Sequence, residues 1–477
     1  MTWTYNSMDT KLSKFGGSSL ASADRIAHVA ENIILKDEER KLIVVSAFGK
    51  ESPSDIRVTN QLIELASIPY NSKKTASYIG SLQDKLTSIS QGLHIGDEIV
   101  AAQIADLEGR VRAQFLNPLQ RSDYLKAWGE YTSALVLTKY LKDVKKVPAR
   151  FVDPKEILVA SDHFGDAVLL PSSDEKIKRV LAHAEGISII PGFYGFTQKS
   201  EIATLPRGGS DTTGGKIAGV LGLDVYENFT DVDFIKRASD VKNALPIQFM
   251  TYDEAMELAY LGFGVLKDEA IKPCMETSVP IHVRNTFKPN QEGTWIMGHR
   301  EADEHDITGI AYKPGFRSLN IRKVLHGRDK DHSLGSYVVH TEMGVTGSGE
   351  FPIEHIATGV SNISFLIPQE YFTTGTVNRL TKYLSGNFQI PPTDITPNYD
   401  PISLISVVGL GMAKTPGVCA RVTAAIALQG VSIGFSTQGA SELSMIYGVS
   451  ENGAHPMNAQ KCVQSSGWQG AESGQVV

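Results

Sequence analysis

KLSKFGGSS, residues 11–19, is the stretch on which the reading of this chain turns. Lys11 to Gly17 reads as a short strand running into a glycine turn. Ser22 to Leu35 follows with helical spacing, placing Ile26, Val29, Ile33 and Ile34 on one face. A strand, two glycines and a helix in that order can cradle a phosphate. The glycines let the backbone approach closely, and the helix N-terminus offers unpaired N–H groups and the positive end of its dipole. Lys14 would add a point charge for a terminal phosphate. A plain strand–turn–helix with a surface lysine fits the same residues, so the rest of the chain has to choose.

Working outward, Leu42 to Phe48 is a β-branched run of the kind that forms a buried strand. Residues 60–145 look largely helical. Ile187 to Ile190 is another apolar strand, stopped by Pro191-Gly192. Gly208 to Leu221 passes from a polar loop into a helix, and Asp224 to Val232 reads as a strand. Thr251 opens a helix with a capping box, Thr251-x-x-Glu254, and Pro280 to Arg284 is one more strand. This alternation predicts an α/β domain over residues 1–296, a mostly parallel sheet sandwiched by helices. Residues 297–306 are polar and suit a linker. Two smaller α+β units are expected after it, at 307–385 and 400–470. The second is the clearer: strand Leu404–Gly409, helix Pro416–Leu428, then strands Val431–Ser436 and Glu442–Val449. The first shows a degraded version of the same β-α-β-β order, so the pair reads as an internal repeat packed side by side.

Composition narrows the function. The 477 residues are 42% hydrophobic and 21% charged, which suits a soluble globular protein of two to four domains. A formal net charge of −7 without a dense basic stripe argues against nucleic acid as a partner. No apolar run reaches the ~18 residues of a membrane span, and MTWTYNSMDTKLSKFGG lacks the apolar core of a signal peptide. Cys274, Cys419 and Cys462 are too few and too scattered for a disulfide framework or a zinc site. They read as buried free thiols in a reducing cytoplasm.

A second loop stands out. Pro206-Arg207-Gly208-Gly209-Ser210-Asp211-Thr212-Thr213 sets an arginine, two glycines and four hydrogen-bonding or charged side chains before a helix. Arg207 suits a two-pronged grip on a carboxylate. Ser210, Thr212 and Thr213 could cap the helix, and Asp211 could cap it or hold an ammonium group. The neighbouring run Gly209 to Lys216 is no P-loop. It misses the GxxxxGK[ST] spacing by one residue, and Ile217 stands where a hydroxyl is required. The Gly16 turn lacks GxGxxG, so a dinucleotide fold has no support.

In this order the motifs resemble the aspartate kinases of the amino-acid kinase superfamily. KFGGSS at 14–19, Val44-Val45-Ser46-Ala47, Val58-Thr59-Asn60, Gly129-Glu130 with Ser133, and Ser161 to Gly165 are similar to successive family segments. So are Pro191-Gly192-Phe193, RGGSD at 207–211, Phe229-Thr230-Asp231-Val232, and Val283 to Thr294. The tail resembles ACT domains, most clearly at Val407-Val408-Gly409 and Ser441 to Met445. Together these cover about the whole chain and are most similar to the lysine-responsive bacterial group.

The resemblance implies an amino-acid kinase fold with two ferredoxin-like ACT units, and transfer of a phosphoryl group from ATP, as its Mg2+ complex, to aspartate. By position it implies a role for each motif residue. Lys14 would neutralise the transferring phosphoryl group, with Gly16, Gly17 and Ser18 against the phosphates. Arg207 would hold the α-carboxylate of L-aspartate and Glu130 its ammonium, while Ser46, Thr59, Ser210 and Asp211 complete the pocket. Thr230 and Asp231 would line the nucleotide site, with Lys236 in the place of a tyrosine common in the family. Lys267 likewise replaces a histidine. Mg2+ is expected on phosphate oxygens and water, without a dedicated protein cage, Asp211 and Asp231 being the nearest carboxylates. An aspartate side chain is ionised at neutral pH, its reference pKa being ~3.9, and needs no general base; His163 is therefore read as structural. A kinase for glutamate or acetylglutamate, or a non-catalytic amino-acid sensor on the same fold, are the alternatives. Acetylglutamate has no ammonium for Glu130 to meet. The resemblance also implies a homodimer joined through the ACT-like units, with lysine ahead of threonine as inhibitor.

Overall fold

The computed structural model describes residues 10–238, 241, 244–263, 266–301, 306–322, 353–359, 361–388, 390–439 and 442–451. Cys462, Ser441, residues 239–240, 264–265 and 302–305, and the end of the 400–470 unit lie outside them. The chain divides into two compact units: Met1–Ile235 with Pro246–Ala259 and Val265–Arg300, and Lys236–Leu245 with Tyr260–Gly264 and Glu301–Val477.

The strands of the first unit are β1 (Lys11–Phe15), β2 (Arg40–Val45), β3 (Ala149–Phe151), β4 (Ile187–Pro191), the hairpin β5 (Tyr194–Phe196) and β6 (Ile202–Thr204), and β7 (Val225–Thr230). Two-residue strands β8 (Ile235–Lys236) and β9 (Pro246–Ile247) precede β10 (Phe249–Thr251), β11 (Ile281–Asn285) and β12 (Thr294–Met297). Eight of them form one sheet in the order β10-β12-β11-β7-β1-β2-β4-β3. Every pairing is parallel except β11 with β12. The fold is thus the α/β sandwich expected from the alternation of elements.

Helices α1 (Ala23–Asn32), α2 (Val58–Ser67), α3 (Lys73–Leu93), α4 (Glu98–Arg112) and α5 (Pro118–Lys139) bury their apolar stripes with Phe15, Ile43, Val45 and Phe229 in one core. Ile26, Val29 and Ile33 all lie in it, as their spacing predicts. Asn117 caps α5, its side-chain oxygen accepting the Leu119 N–H at 2.9 Å, and Pro118 supplies the preset first turn. α5 is buried around much of its circumference, including at Asp123, Lys126 and Glu130.

Short helices α6 (Pro154–Ile157) and α7 (Ser173–Leu181) lead to α8 (Gly209–Leu221), followed by α9 (Tyr252–Tyr260) and α10 (Asp268–Thr277). The capping box at α9 is reciprocal: Glu254 Oε2 accepts the Thr251 N–H at 2.8 Å, and Thr251 Oγ1 accepts the Glu254 N–H at 3.2 Å. The glycines that mimicked a P-loop serve packing instead. A Cβ at Gly215 would stand 2.1 Å from the Ala270 carbonyl oxygen, and one at Gly219 would stand 2.5 Å from that of Pro273. They let α8 and α10 cross at backbone contact.

In the second unit, β13 (Gly309–Arg322), β14 (His355–Thr358), β15 (Asn362–Pro368), β16 (Ile395–Val408), β17 (Ile433–Gln438) and β18 (Ser444–Ser450) make one antiparallel sheet, ordered β14-β15-β13-β16-β18-β17. It carries two hydrophobic cores. One joins Ile310, Ile405 and Val407 to the helix Val418–Leu428, and the other joins Leu319, Ile321 and Ile395 to the helix Thr374–Phe388. The long central strands β13 and β16 therefore each enter both cores. Cys274 is buried, but Cys419 is exposed, which corrects the reading of every thiol as buried; its position in the first turn of the helix leaves it outside the core stripe of Val418, Val422, Ala425 and Ile426. No helix among the described residues is long and apolar enough to cross a membrane.

Candidate active site

Five neighbouring parallel strands end at one edge of the large sheet. β11 stops at Asn285 and β7 at Thr230, β1 stops at Phe15, β2 at Val45 and β4 at Pro191, and the strand registers align these ends. Backbone bonds then tie each outgoing loop to the neighbouring strand. Gly16 N–H donates to Phe229 at 3.3 Å, Ser46 N–H to Phe15 at 3.1 Å, and Gly192 N–H to Val45 at 3.0 Å. Gly49 N–H reaches Gly17 at 2.8 Å. The carboxyl edge of an open α/β sheet is where such folds place their ligands.

Lys14 stands at the centre of this edge. Its stem is buried, 7% exposed, and Nζ meets Asp211 Oδ1 at 2.6 Å. The same carboxylate oxygen accepts from Asn228 Nδ2 at 2.6 Å. Asp211 sits in the first turn of α8, where an anion is favoured by the helix dipole. The N-cap is Gly208 at φ +94°, without a side-chain cap, so the hydroxyls of this loop do other work. Thr213 Oγ1 donates to Gly209 and accepts from the Phe193 N–H at 3.2 Å, while Ser210 packs where a Cβ at Gly192 would collide, 2.7 Å away. Gly17 leaves space that a Cβ would take from the Ala47 oxygen, at 2.8 Å. Ser18 is half-buried beside it, its carbonyl held by Arg25 Nη1 at 2.8 Å.

On the β2 side, Gly129 lets α5 close on the loop after the strand: a Cβ there would fall 2.7 Å from the Ala47 methyl. That approach brings in Glu130, which is 4% exposed and whose Oε2 has no hydrogen-bond partner. Burial pushes its carboxyl up to about 8, against hydrogen bonding from the Ala47 backbone and from its own, and against the charge of Lys126. Ser133 Oγ donates to the Ser46 carbonyl at 2.7 Å, and Thr59 lies in the first turn of α2, half-buried. Arg207 is exposed and makes no ion pair among the described residues.

On the β7 side, Thr230 Oγ1 donates to Asp231 Oδ1 at 3.3 Å, and the Thr286 N–H reaches the Thr230 carbonyl at 2.8 Å. Asp231 is exposed. Lys236 is exposed in the second unit. Lys267 lays its stem over Gly208, its Cγ 3.0 Å from where a Cβ would be. The oxygen donors at this edge, Asp211 and Asp231, are of the hard type that Mg2+ accepts. Among the described residues no cluster of three or more His, Cys, Asp or Glu side chains is disposed to hold a metal.

Buried charge networks escaped the sequence reading. Glu227 accepts from Arg40 Nε at 2.6 Å, Arg284 Nη1 at 2.6 Å and Ser13 Oγ at 2.7 Å. Burial alone would favour its protonation; Arg40, Ser13 and Arg284 outweigh burial and hold the carboxyl down to about 2. Asp123 and Lys126 pair at 2.8 Å within α5. A stripe of three ionisable residues at i, i+3 and i+7 on a helix rich in apolar residues was the available signal for the second network. The first joins residues far apart in the chain.

Comparison with known proteins places this geometry in context. Residues 9–285 match the model of the amino acid kinase family, and residues 405–456 match an ACT domain. Aspartokinase 3 of Bacillus subtilis is 33% identical over 444 residues, 92% of this chain and 95% of that protein. The crystal structure of Clostridium acetobutylicum aspartate kinase superposes with a TM-score of 0.76 at 31% identity, covering 96% of this chain and 100% of that one. Escherichia coli aspartokinase III shares the fold. Solved with aspartate and ADP it gives a TM-score of 0.78 at 20% identity (95% and 98% covered), and with lysine and aspartate 0.72 at 22% (97% and 100%).

Proposed function

Because this chain belongs to the amino acid kinase family, as an aspartokinase, we propose that its carboxyl-edge site joins ATP and L-aspartate over Lys14. The reaction forms a bond between a β-carboxylate oxygen of aspartate and the γ-phosphorus, breaks the bond from that phosphorus to the bridging oxygen, and releases ADP with 4-phospho-L-aspartate. The carboxylate is ionised at neutral pH, so the site has no proton to remove, and its work is to offset repulsion between two anions. Lys14, with the N–H groups after Gly16 and Gly17 and near Ser18, serves the phosphates. Asp211 and Asn228 fix the position of Lys14 Nζ. Thr230 and Asp231 serve the nucleotide. Mg2+, carried on the phosphate oxygens, would neutralise their charge, with Asp211 and Asp231 as the carboxylates in reach of its waters.

One observation supports the choice of substrate above the others: the partnerless, buried Oε2 of Glu130. A buried polar atom without a partner costs free energy, and an α-ammonium would satisfy it. Arg207 would take the α-carboxylate, with Ser46, Thr59 and Ser210 closing the pocket. The experiment is an ADP-release assay on the purified chain with aspartate, glutamate and N-acetylglutamate as acceptors. Turnover with aspartate alone is expected; preference for the acetylated acceptor would refute the role of Glu130.

We place the catalytic domain at 1–296 and the ACT-like units at 307–385 and 400–470, interlocked through β13 and β16, with the enzyme in the cytoplasm as a homodimer joined through those units. Lysine is the expected inhibitor, ahead of threonine; the lysine complex of the Escherichia coli enzyme supports that order. Light scattering of the purified chain and initial rates with each amino acid test both statements. A monomer at micromolar concentration, or rates untouched by lysine, would count against them.

A further inference from the structure

Asp123, Lys126 and Glu130 stand at i, i+3 and i+7 on α5 and so share one face of the helix. All three are buried. Lys126 and Glu130 are four residues apart, a spacing at which lysine and glutamate pair on helices. They do not pair here. Lys126 Nζ turns back to Asp123 Oδ1 at 2.8 Å and donates to Thr204 Oγ1 at 2.7 Å, with the Phe193 ring 5.7 Å from the ammonium. Asp123 is itself fixed. Its Oδ2 accepts the Gly165 N–H at 2.7 Å and the Thr204 N–H at 2.9 Å, and its Oδ1 accepts Thr204 Oγ1 at 2.6 Å. Three segments meet on this carboxylate: α5, the turn at Gly165, and β6. One turn further along the helix, Glu130 keeps an oxygen without a partner.

We infer that Asp123 and Thr204 act as rival partners that hold the Lys126 ammonium away from Glu130, leaving that carboxylate open to the ammonium of the substrate. An ammonium tethered one helical turn away has a high effective concentration, so it would outcompete a free amino acid at millimolar levels. The pocket recognises an amino acid only because its own lysine is occupied elsewhere. Asp123 and Thr204 are positioning residues for specificity, neither touching the substrate. The inference rests on the reading of Glu130 given above.

The test is a mutant cycle on the full chain, read as aspartate KM, ATP KM and kcat at pH 9, where Glu130 is ionised. Asp123→Asn is expected to raise aspartate KM about tenfold or more while ATP KM and kcat change little, because Lys126 is released onto Glu130. Adding Lys126→Met to that variant removes the competitor and is expected to bring aspartate KM back to within about threefold of the parent. Lys126→Met also removes the buried cation that Asp123→Asn strands, so the melting temperature is measured alongside: recovery of the melting temperature without recovery of aspartate KM overturns the inference. If Asp123→Asn does not fold, Thr204→Val is read in the same way, with the same rescue by Lys126→Met. An unchanged aspartate KM in the single variant, or a double variant no better than the single, overturns the inference. Glu130→Gln separates the two levels: if it leaves aspartate KM unchanged, the substrate reading of Glu130 has failed and the inference falls with it, whereas a raised KM in Glu130→Gln beside an unchanged KM in Asp123→Asn overturns the rivalry alone.

Discussion

Raising the pH from 7 to 9 should tighten aspartate binding about tenfold, and Glu130 should be the cause. Only its ionised form offers a negative charge to the substrate ammonium, and burial pushes its carboxyl up to about 8. With that midpoint roughly one-tenth of the molecules are ionised at pH 7 and nine-tenths at pH 9. The apparent dissociation constant is the intrinsic one divided by that fraction. Titration calorimetry without nucleotide, in two buffers of different ionisation enthalpy, measures both consequences. Near pH 7 the heat should depend on the buffer, since about one proton leaves per aspartate bound. At pH 9 that dependence should fade. Glu130→Gln should bind weakly at every pH and lose the slope. The sign for stability is opposite. The folded carboxyl titrates above its ordinary value of 4.5, so the ligand-free protein keeps its full stability below about 4.5 and loses part of it as pH rises through about 8. A dissociation constant flat from pH 6.5 to 9, with no proton released, would refute the reasoning.

Lys14→Met should lower kcat by about 10²–10³ in an ADP-release assay while the protein still folds; Asp211 keeps its bond from Asn228. Arg207→Ala should leave the melting temperature unchanged, since Arg207 is exposed and without an ion pair among the described residues, yet raise aspartate KM roughly 30- to 100-fold, the worth of charge-assisted hydrogen bonds. Glu227→Gln should cost about 3–5 kcal/mol in urea unfolding at pH 7, because it takes the shared carboxylate from the buried Arg40 and the half-buried Arg284. The folded carboxyl of Glu227 lies at about 2, below its ordinary 4.5, so its stabilisation is whole above about 4.5 and is lost as pH falls towards 2; the variant should lack that acid-side decline. Gly49→Ala would put a methyl 2.3 Å from the Gly17 carbonyl carbon; a raised ATP KM and a loss of about 1–3 kcal/mol are expected by the same assays.

How far the chain could be read before its structure depended on how local the signal was. The strand, glycine pair and helix at 11–35 form one continuous segment, and the Thr251–Glu254 box is complete within four residues. Lys14 belongs to that segment and Asp211 to the second polar loop; each was legible where it stands, but their 2.6 Å contact joins two separate segments and only the fold makes it. Glu227 could not be read in this way. Its arginine partners lie 187 and 57 residues away and Ser13 lies 214 away; they meet it only because the sheet sets β11, β7, β1 and β2 side by side. The long strands β13 and β16 were also hidden. Pro314-Gly315 interrupts one and Pro397 and Pro401 the other, and proline normally argues against a central strand. The structure accommodates the Pro314-Gly315 break with register shifts on either side of Phe316, and Gly315 adopts φ +90°.

Those two strands carry a consequence for inheritance. A crossover between the genes of two relatives, placed anywhere from residue 323 to 394, would supply each hybrid with one long strand from either parent, and both cores would have to tolerate the mixture. Neither half travels as a cassette. The tail should therefore pass between lineages whole, and substitutions along its two seams should accumulate in matched pairs.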